Sequence, residues 1–273
     1  MSTRLPQANP NRSATVIDIL DSKVGSRGKP QREKSRRYDY WFETHQPLAC
    51  LAFALPLLLW YDVSMILQAD VIRSGIDRLL QHILWPLGDA GLIVLPLATI
   101  GIFLFLHHRH PNSGSFQLQT IFWMFVESLA LATILFFACD AMMLYFNGQE
   151  PRPLTGLVTA FTDADQYRRV LTCIGASIHE ELLFRMLLFA PLAFWIKQKT
   201  GQQKLALIAA AVVVSLVFAV AHCDIFNPEG YPFQLSTFLF RFLASVFLCF
   251  LFRFRGIAVA IGVHAVFDIL AVS

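Results

Sequence analysis

The chain has little charge and little else that would cover a protein surface with water. Only 15% of its 273 residues are Asp, Glu, Lys or Arg, whereas 56% are hydrophobic and 13% aromatic. A soluble domain carries roughly a quarter charged residues, so this composition excludes one and points to a membrane protein. The net charge of +3 gives no reason to expect a nucleic-acid partner. The five cysteines, Cys50, Cys139, Cys173, Cys223 and Cys249, stand singly in apolar stretches. They lack the close spacing of a disulfide framework or metal knuckle and read as small core hydrophobes. An apolar leader is also missing. Residues 1 to 45 are polar and basic and the first apolar run starts near Pro47, so the N-terminus is expected to be retained.

What the chain does have is a succession of long apolar runs. Residues 1–40 hold nine Lys/Arg and one short apolar patch, Val16 to Leu20, and read as a disordered basic cytosolic tail. Residues 41–273 read as a transmembrane domain. Within it, seven stretches near 47–67, 90–106, 120–146, 170–195, 205–222, 233–252 and 256–272 can each cross roughly 30 Å of hydrocarbon at about 1.5 Å per residue. Seven such runs joined by short polar turns leave no chain for a water-facing surface. The expected class is all-α, a polytopic bundle of about seven helices. With the tail inside, Arg109, Lys197, Lys199, Lys204, Arg253 and Arg255 fall on the same side and Arg73, Arg78, Arg152, Arg168 and Arg169 on the other. The positive-inside rule then predicts N-terminus in and C-terminus out.

Several features are read more plainly. Residues 79–88 lie along the outer interface or belong to a span, and the loop Asn147 to Arg169 separates three helices from four. His107, His108, Arg109 and His110 read as a solvated interface, and Trp60 and Tyr61 as interface anchors. Asp140, near an outer helix end, reads as hydrated. Glu127 and Arg241 are expensive in lipid and could pair with each other. No internal repeat is visible.

The fourth apolar segment contains Gly175-Ala-Ser-Ile-His-Glu-Glu-Leu-Leu-Phe-Arg185, which puts His179, Glu180, Glu181 and Arg185 near the middle of a helix that crosses lipid. Each ionised residue there costs about 2.5–3.5 kcal/mol, so the set should be paired, hydrated or useful. Glu181 and Arg185 are one turn apart and can pair, and His179 reads as packed or supporting. Glu180 has no partner in its own helix. Two later segments offer partners: the fifth ends Phe218-Ala-Val-Ala-His222, and the seventh carries His264-Ala-Val-Phe-Asp268, whose ends share a helical face. Measured from the outer ends of the runs, Glu180 is roughly 15 Å deep but His222 is near the surface. Either the fifth helix continues past His222, or a water-filled vestibule opens there.

Glu-Glu-x-x-x-Arg (Glu180, Glu181, Arg185), Phe-x-x-x-His (Phe218, His222) and His-x-x-x-Asp (His264, Asp268), in this order and each in an apolar segment, resemble the CPBP family of intramembrane glutamic endopeptidases. That family includes Ras-converting CAAX endopeptidases and bacterial bacteriocin-processing or immunity proteins, and the resemblance spans about residues 165–273. It implies a peptide hydrolase in which Glu180 and His222 hold and activate a water while His264 and Asp268 stabilise the oxyanion. Glu181 and Arg185 would be structural, or would tune Glu180, and Phe218 would be structural. Many relatives carry Asn where this chain has Asp268, so Asp268 could instead orient His264, as the carboxylate does in a Ser-His-Asp triad. No cofactor is expected. Zinc is the competing reading, but the signature His-Glu-x-x-His fails, because Leu183 stands where a second histidine belongs. Expected partners are membrane lipid and a protein or peptide substrate, prenylated or not, in a plasma or inner membrane if the source is bacterial. The alternatives are a proton-coupled transporter using Glu180, Glu127 and the histidines, and a non-catalytic immunity or partner protein.

Overall fold

The computed structural model describes residues 39–67, 90–109, 116–151, 164–223 and 233–272, and these are helical wherever they are regular. A short helix α1 (Tyr40–Glu43) leads into α2 (Pro47–Leu67), α3 (Ala90–Arg109) and α4 (Leu118–Asn147). Next comes one continuous rod made of α5 (Ala164–Glu181), a π-helical segment (Leu182–Phe189) and α6 (Ala190–Thr200). The chain ends with α7 (Gln203–Ala221), α8 (Leu235–Arg255) and α9 (Ile257–Val272). The expected all-helical class is therefore observed, and every one of the seven apolar runs falls on a helix. Pro47–Ser64, α4, α7 and α8 are long and apolar enough to cross a membrane. The N-terminal tail, residues 79–88 and most of the loop after Asn147 lie outside the described residues.

α9 is the centre of the bundle. Apart from His264 and Asp268 it is apolar all round, as a helix enclosed by others is, and Ala258, Val259, Ala260, Ile261 and Val263 are completely buried. It packs against α4, α5, α8 and α2. The outer helices turn large apolar residues away from this core; on α4 these include Phe122, Trp123, Phe125 and Phe137, a face suited to lipid.

A polar clamp fixes the start of the central helix. α8 and α9 are joined by Gly256 alone, at φ 89°, where a Cβ would lie 2.6 Å from the Thr44 carbonyl oxygen. Only glycine meets both conditions. Arg255, just before it, donates twice to the Glu127 carboxylate on α4, and its guanidinium lies 3.7 Å from the Trp41 ring centre and 4.8 Å from that of Tyr40. The Tyr40 hydroxyl donates to the same carboxylate at 2.6 Å; burial and that contact push its pKa above the ordinary tyrosine value. Glu43 accepts from the Gln117 backbone N–H and the Thr120 hydroxyl. The starts of α2 and α4 and the α8–α9 turn thus share one end of the bundle.

Four expectations need correction. Glu127 pairs with Arg255 rather than Arg241, because the pairing depends on which helix faces turn inward and not on apolar context. Tyr61 is no interface anchor: it is 4% exposed, sits edge-on to His179 and fills the space where a Cβ on Gly175 would be. Asp140 is buried rather than hydrated, because α4 runs seven residues beyond it. The fourth apolar segment extends further each way, to Ala164 and Thr200. Its first turns are polar (Asp165, Arg168, Arg169), which hid the helix from a hydropathy reading. Trp60 stays partly exposed and donates to the Tyr167 hydroxyl at 3.0 Å.

Glu127→Ala is expected to lower stability by about 3–5 kcal/mol, the cost of stranding a buried guanidinium. Thermal unfolding in detergent measures it, and a shift under about 1 kcal/mol would mean that the clamp is peripheral.

Candidate active site

The helical hairpin of α6 and α7 brings the first two polar groups together. Its turn is Gly201, at φ 69°. Glu180 lies 21 residues before Gly201 and His222 lies 21 after it; Phe184 and Phe218 lie 17 either side. Antiparallel helices leaving a tight turn stay level at equal distances along the chain. Accordingly Phe184 and Phe218 meet at 5.0 Å, and His222 Nε2 comes within 3.4 Å of Glu180 Oε2. The depth conflict disappears when both are measured from this turn rather than from the outer ends of the apolar runs. α7 ends at Ala221 and His222 is its C-cap, so the helix does not continue past His222.

Between Glu180 and the hairpin the rod changes its winding. Through Leu182–Phe189 the backbone bonds are of π type, with the Ala190 N–H donating to the Arg185 carbonyl five residues back. Such segments often occur at functional sites, and nothing in the sequence pattern marks this one. Glu181 and Arg185 still pair at 3.1 Å, and both side chains are fully buried. Arg185 also donates to the Ser245 hydroxyl at 3.2 Å, and its guanidinium lies 5.0 Å from the Phe218 ring centre and 5.9 Å from that of Phe184, in cation–π range. Ser245 is a site residue that sequence reading misses, since one serine in an apolar run carries no signal.

α9 supplies the remaining groups. His264 Nδ1 donates to Glu181 Oε1 at 2.8 Å, leaving Nε2 facing Asp268 Oδ2 at 3.4 Å and Glu180 Oε2 at 3.8 Å. His264 and Asp268 share a face, as their spacing predicts. The carboxylate that hydrogen-bonds His264 is Glu181, however, and not Asp268 as the triad analogy expects. A fixed chain thus runs from Ser245 through Arg185 and Glu181 to His264. On His222 the Nδ1–H donates to the Phe218 carbonyl at 2.8 Å, which sets the tautomer and turns Nε2 to Glu180.

Glu180, Glu181, Asp268, Arg185, His222 and His264 form one cluster whose formal charges cancel when both imidazoles are protonated. It has a sealed side and an open side. Glu181 and Arg185 are 0% exposed, whereas His222 and Asp268 are each 25% exposed. His179 lies apart, packed against Tyr61. Glu127, which a proton relay would have recruited, is tied to Arg255 and Tyr40. Arg241 donates to the His222 carbonyl oxygen at 2.5 Å.

Residues 167–270 match the family model for Rce1-like type II CAAX prenyl endopeptidases. They carry an Rce1-like domain. The match begins in the first turn of α5 and runs to the end of α9, so it includes every polar group of the cluster and leaves out α1 to α4. Comparison of the chain with curated proteins and with solved structures gave no match. The four span-length helices make this an integral membrane protein, and its residues 167–270 are similar to the Rce1-like family.

Arg185→Met should destabilise the protein by about 3–5 kcal/mol, because the buried Glu181 carboxylate loses its counter-charge. Arg185→Met combined with Glu181→Gln should recover most of that loss in the same thermal assay. A double variant no more stable than the single one would show that the pair is not the source of the effect.

Proposed function

We propose that the chain is a multi-pass intramembrane endopeptidase that hydrolyses a peptide bond with a water activated by Glu180 and His222. The observation that carries this reading is the 3.4 Å approach of His222 Nε2 to Glu180 Oε2 on the open side of the cluster. Two acceptors converge there, and a water between them would donate to both. Glu180 takes the proton as the water oxygen bonds to the carbonyl carbon, and the proton passes to the amine nitrogen as the C–N bond breaks. Acid–base groups so placed contribute about 10²–10⁴-fold.

His264 is the oxyanion donor. With Nδ1 committed to Glu181, only Nε2 is left to donate to the developing charge, and its ring is held by contacts formed before substrate arrives. Asp268 beside it donates only when protonated. No metal takes part in this scheme. The substrate is a membrane-associated protein or peptide, which a prenyl group would hold in lipid near the site, and the Lys/Arg-rich N-terminal sequence supports a cytosolic N-terminus.

The test is cleavage of a prenylated CAAX-type peptide by purified protein. Glu180→Gln and His222→Ala should each lower kcat by at least about 10²-fold with unfolding temperature unchanged, and His264→Ala by about 10²–10³-fold. Chelator should leave the wild-type rate intact. Cleavage undiminished in Glu180→Gln would end the glutamate mechanism, and a rate abolished by chelator and restored by zinc would replace it with a metal-dependent one.

A further inference from the structure

Two arginines buried in the apolar helices, Arg185 and Arg255, are neutralised by carboxylates. Arg185 has Glu181 at 3.1 Å, and Arg255 has Glu127. Arg241, on the second turn of α8, faces no carboxylate at ion-pair distance among the described residues. Its one hydrogen bond there is from Nη1 to the His222 carbonyl oxygen. That oxygen is one of the carbonyls left without a helical partner at the end of α7, so capping accounts for one of five guanidinium N–H donors. The side chain is half-buried, and none of its nitrogens is sealed from solvent without a partner.

The position of this cation is specific. It is hydrogen-bonded to the backbone of the residue whose imidazole reaches Glu180, so it stands one residue away from the space where the water would be held. An extended peptide advances about 3.3–3.6 Å per residue, so a group a few residues from the bond in the site can meet Arg241. A planar guanidinium with an open pair of donors takes a carboxylate through two parallel hydrogen bonds. We propose that Arg241 is a substrate-binding residue that takes a carboxylate of the peptide substrate within a few residues of the cleaved bond. This assignment rests on the protease reading for the location of that bond. The carboxylate has two sources, the C-terminus of the substrate or an acidic side chain.

Binding to the full-length Glu180→Gln protein in detergent tests the assignment without turnover. Three fluorescent peptides, each with a farnesylated cysteine followed by three residues, serve as probes: one with a free C-terminal acid, one with a C-terminal amide, and one amidated with glutamate as its last residue. The acid should bind at least about tenfold more tightly than the amide. Arg241→Gln should abolish that difference while leaving the affinity of the amide unchanged. Arg241→Lys keeps the charge and one donor but loses the fork, and should retain only part of the preference; it is the variant to read if the glutamine variant fails to fold. Acid-like binding by the glutamate peptide assigns the side chain as a second source, and amide-like binding assigns the terminus alone. Equal binding of all three probes, or a preference that survives both variants, overturns the proposal. Carboxylate-dependent binding without cleavage by the wild-type protein would refute the protease reading and leave Arg241 assigned. Cleavage indifferent to the carboxylate would do the reverse.

Discussion

The Glu181–Arg185 ion pair is the contact on which the site's arrangement depends. It lies within the rod of α5, the π-helical segment and α6, and three other helices each bring a neighbour to it: Ser245 from α8, His264 from α9 and Phe218 from α7. A buried pair of this kind adds little net stability over a well-packed apolar substitute. Its effect is geometric. A guanidinium and a carboxylate sealed from solvent tolerate few arrangements of donors and acceptors around them, so the four elements are held in one relative register. The orientation of the His264 ring is one result of that register.

The central helix α9 is held at two heights. At its start, the clamp of Glu127, Tyr40 and Trp41 fixes Arg255, and Gly256 lies against the Thr44 carbonyl. Two turns along, His264 is fastened to Glu181. An apolar helix enclosed on all sides has weak preferences for its own rotation and depth, because dispersion contacts are individually small. Two polar attachments at different levels remove both freedoms. α1 to α4 lie outside the Rce1-like match, yet α1 and α4 supply half of this attachment, so the N-terminal helices bear on the geometry of a site to which they give no polar group.

Much of this architecture was legible in the residues. Each of the seven apolar runs falls on a helix, though α1 and the first turns of α5 gave no hydropathy signal, and the three spaced motifs named the members of the cluster. The register was also present, since Glu180 with His222 and Phe184 with Phe218 are symmetric about Gly201. Measuring from the outer edges of apolar runs concealed it, because α5 starts with polar turns that hydropathy assigns to a loop. Three things had no signal. The π-type winding has no counterpart in the residue pattern, Ser245 resembles any small residue in a span, and the partner of Glu127 depends on helix rotation. Arg255 looked like a flanking charge at the end of a span, whereas it is the buried partner of an internal glutamate.

Adjacent glutamates on one helix acquire opposite environments. Successive residues project about 100° apart, so Glu181 turns toward Arg185 and His264 while Glu180 turns toward His222. The pattern of exposure follows the same division. The groups that orient others are sealed, and the groups that would meet a substrate, His222 and Asp268, lie on the open side. Glu181 is engaged by Arg185 and His264 in the sealed interior, whereas Glu180 faces His222 across 3.4 Å. The doubled glutamate therefore gives one helix both a sealed anchor and a carboxylate turned toward the open side. The two roles could not be combined in a single side chain without weakening one of them.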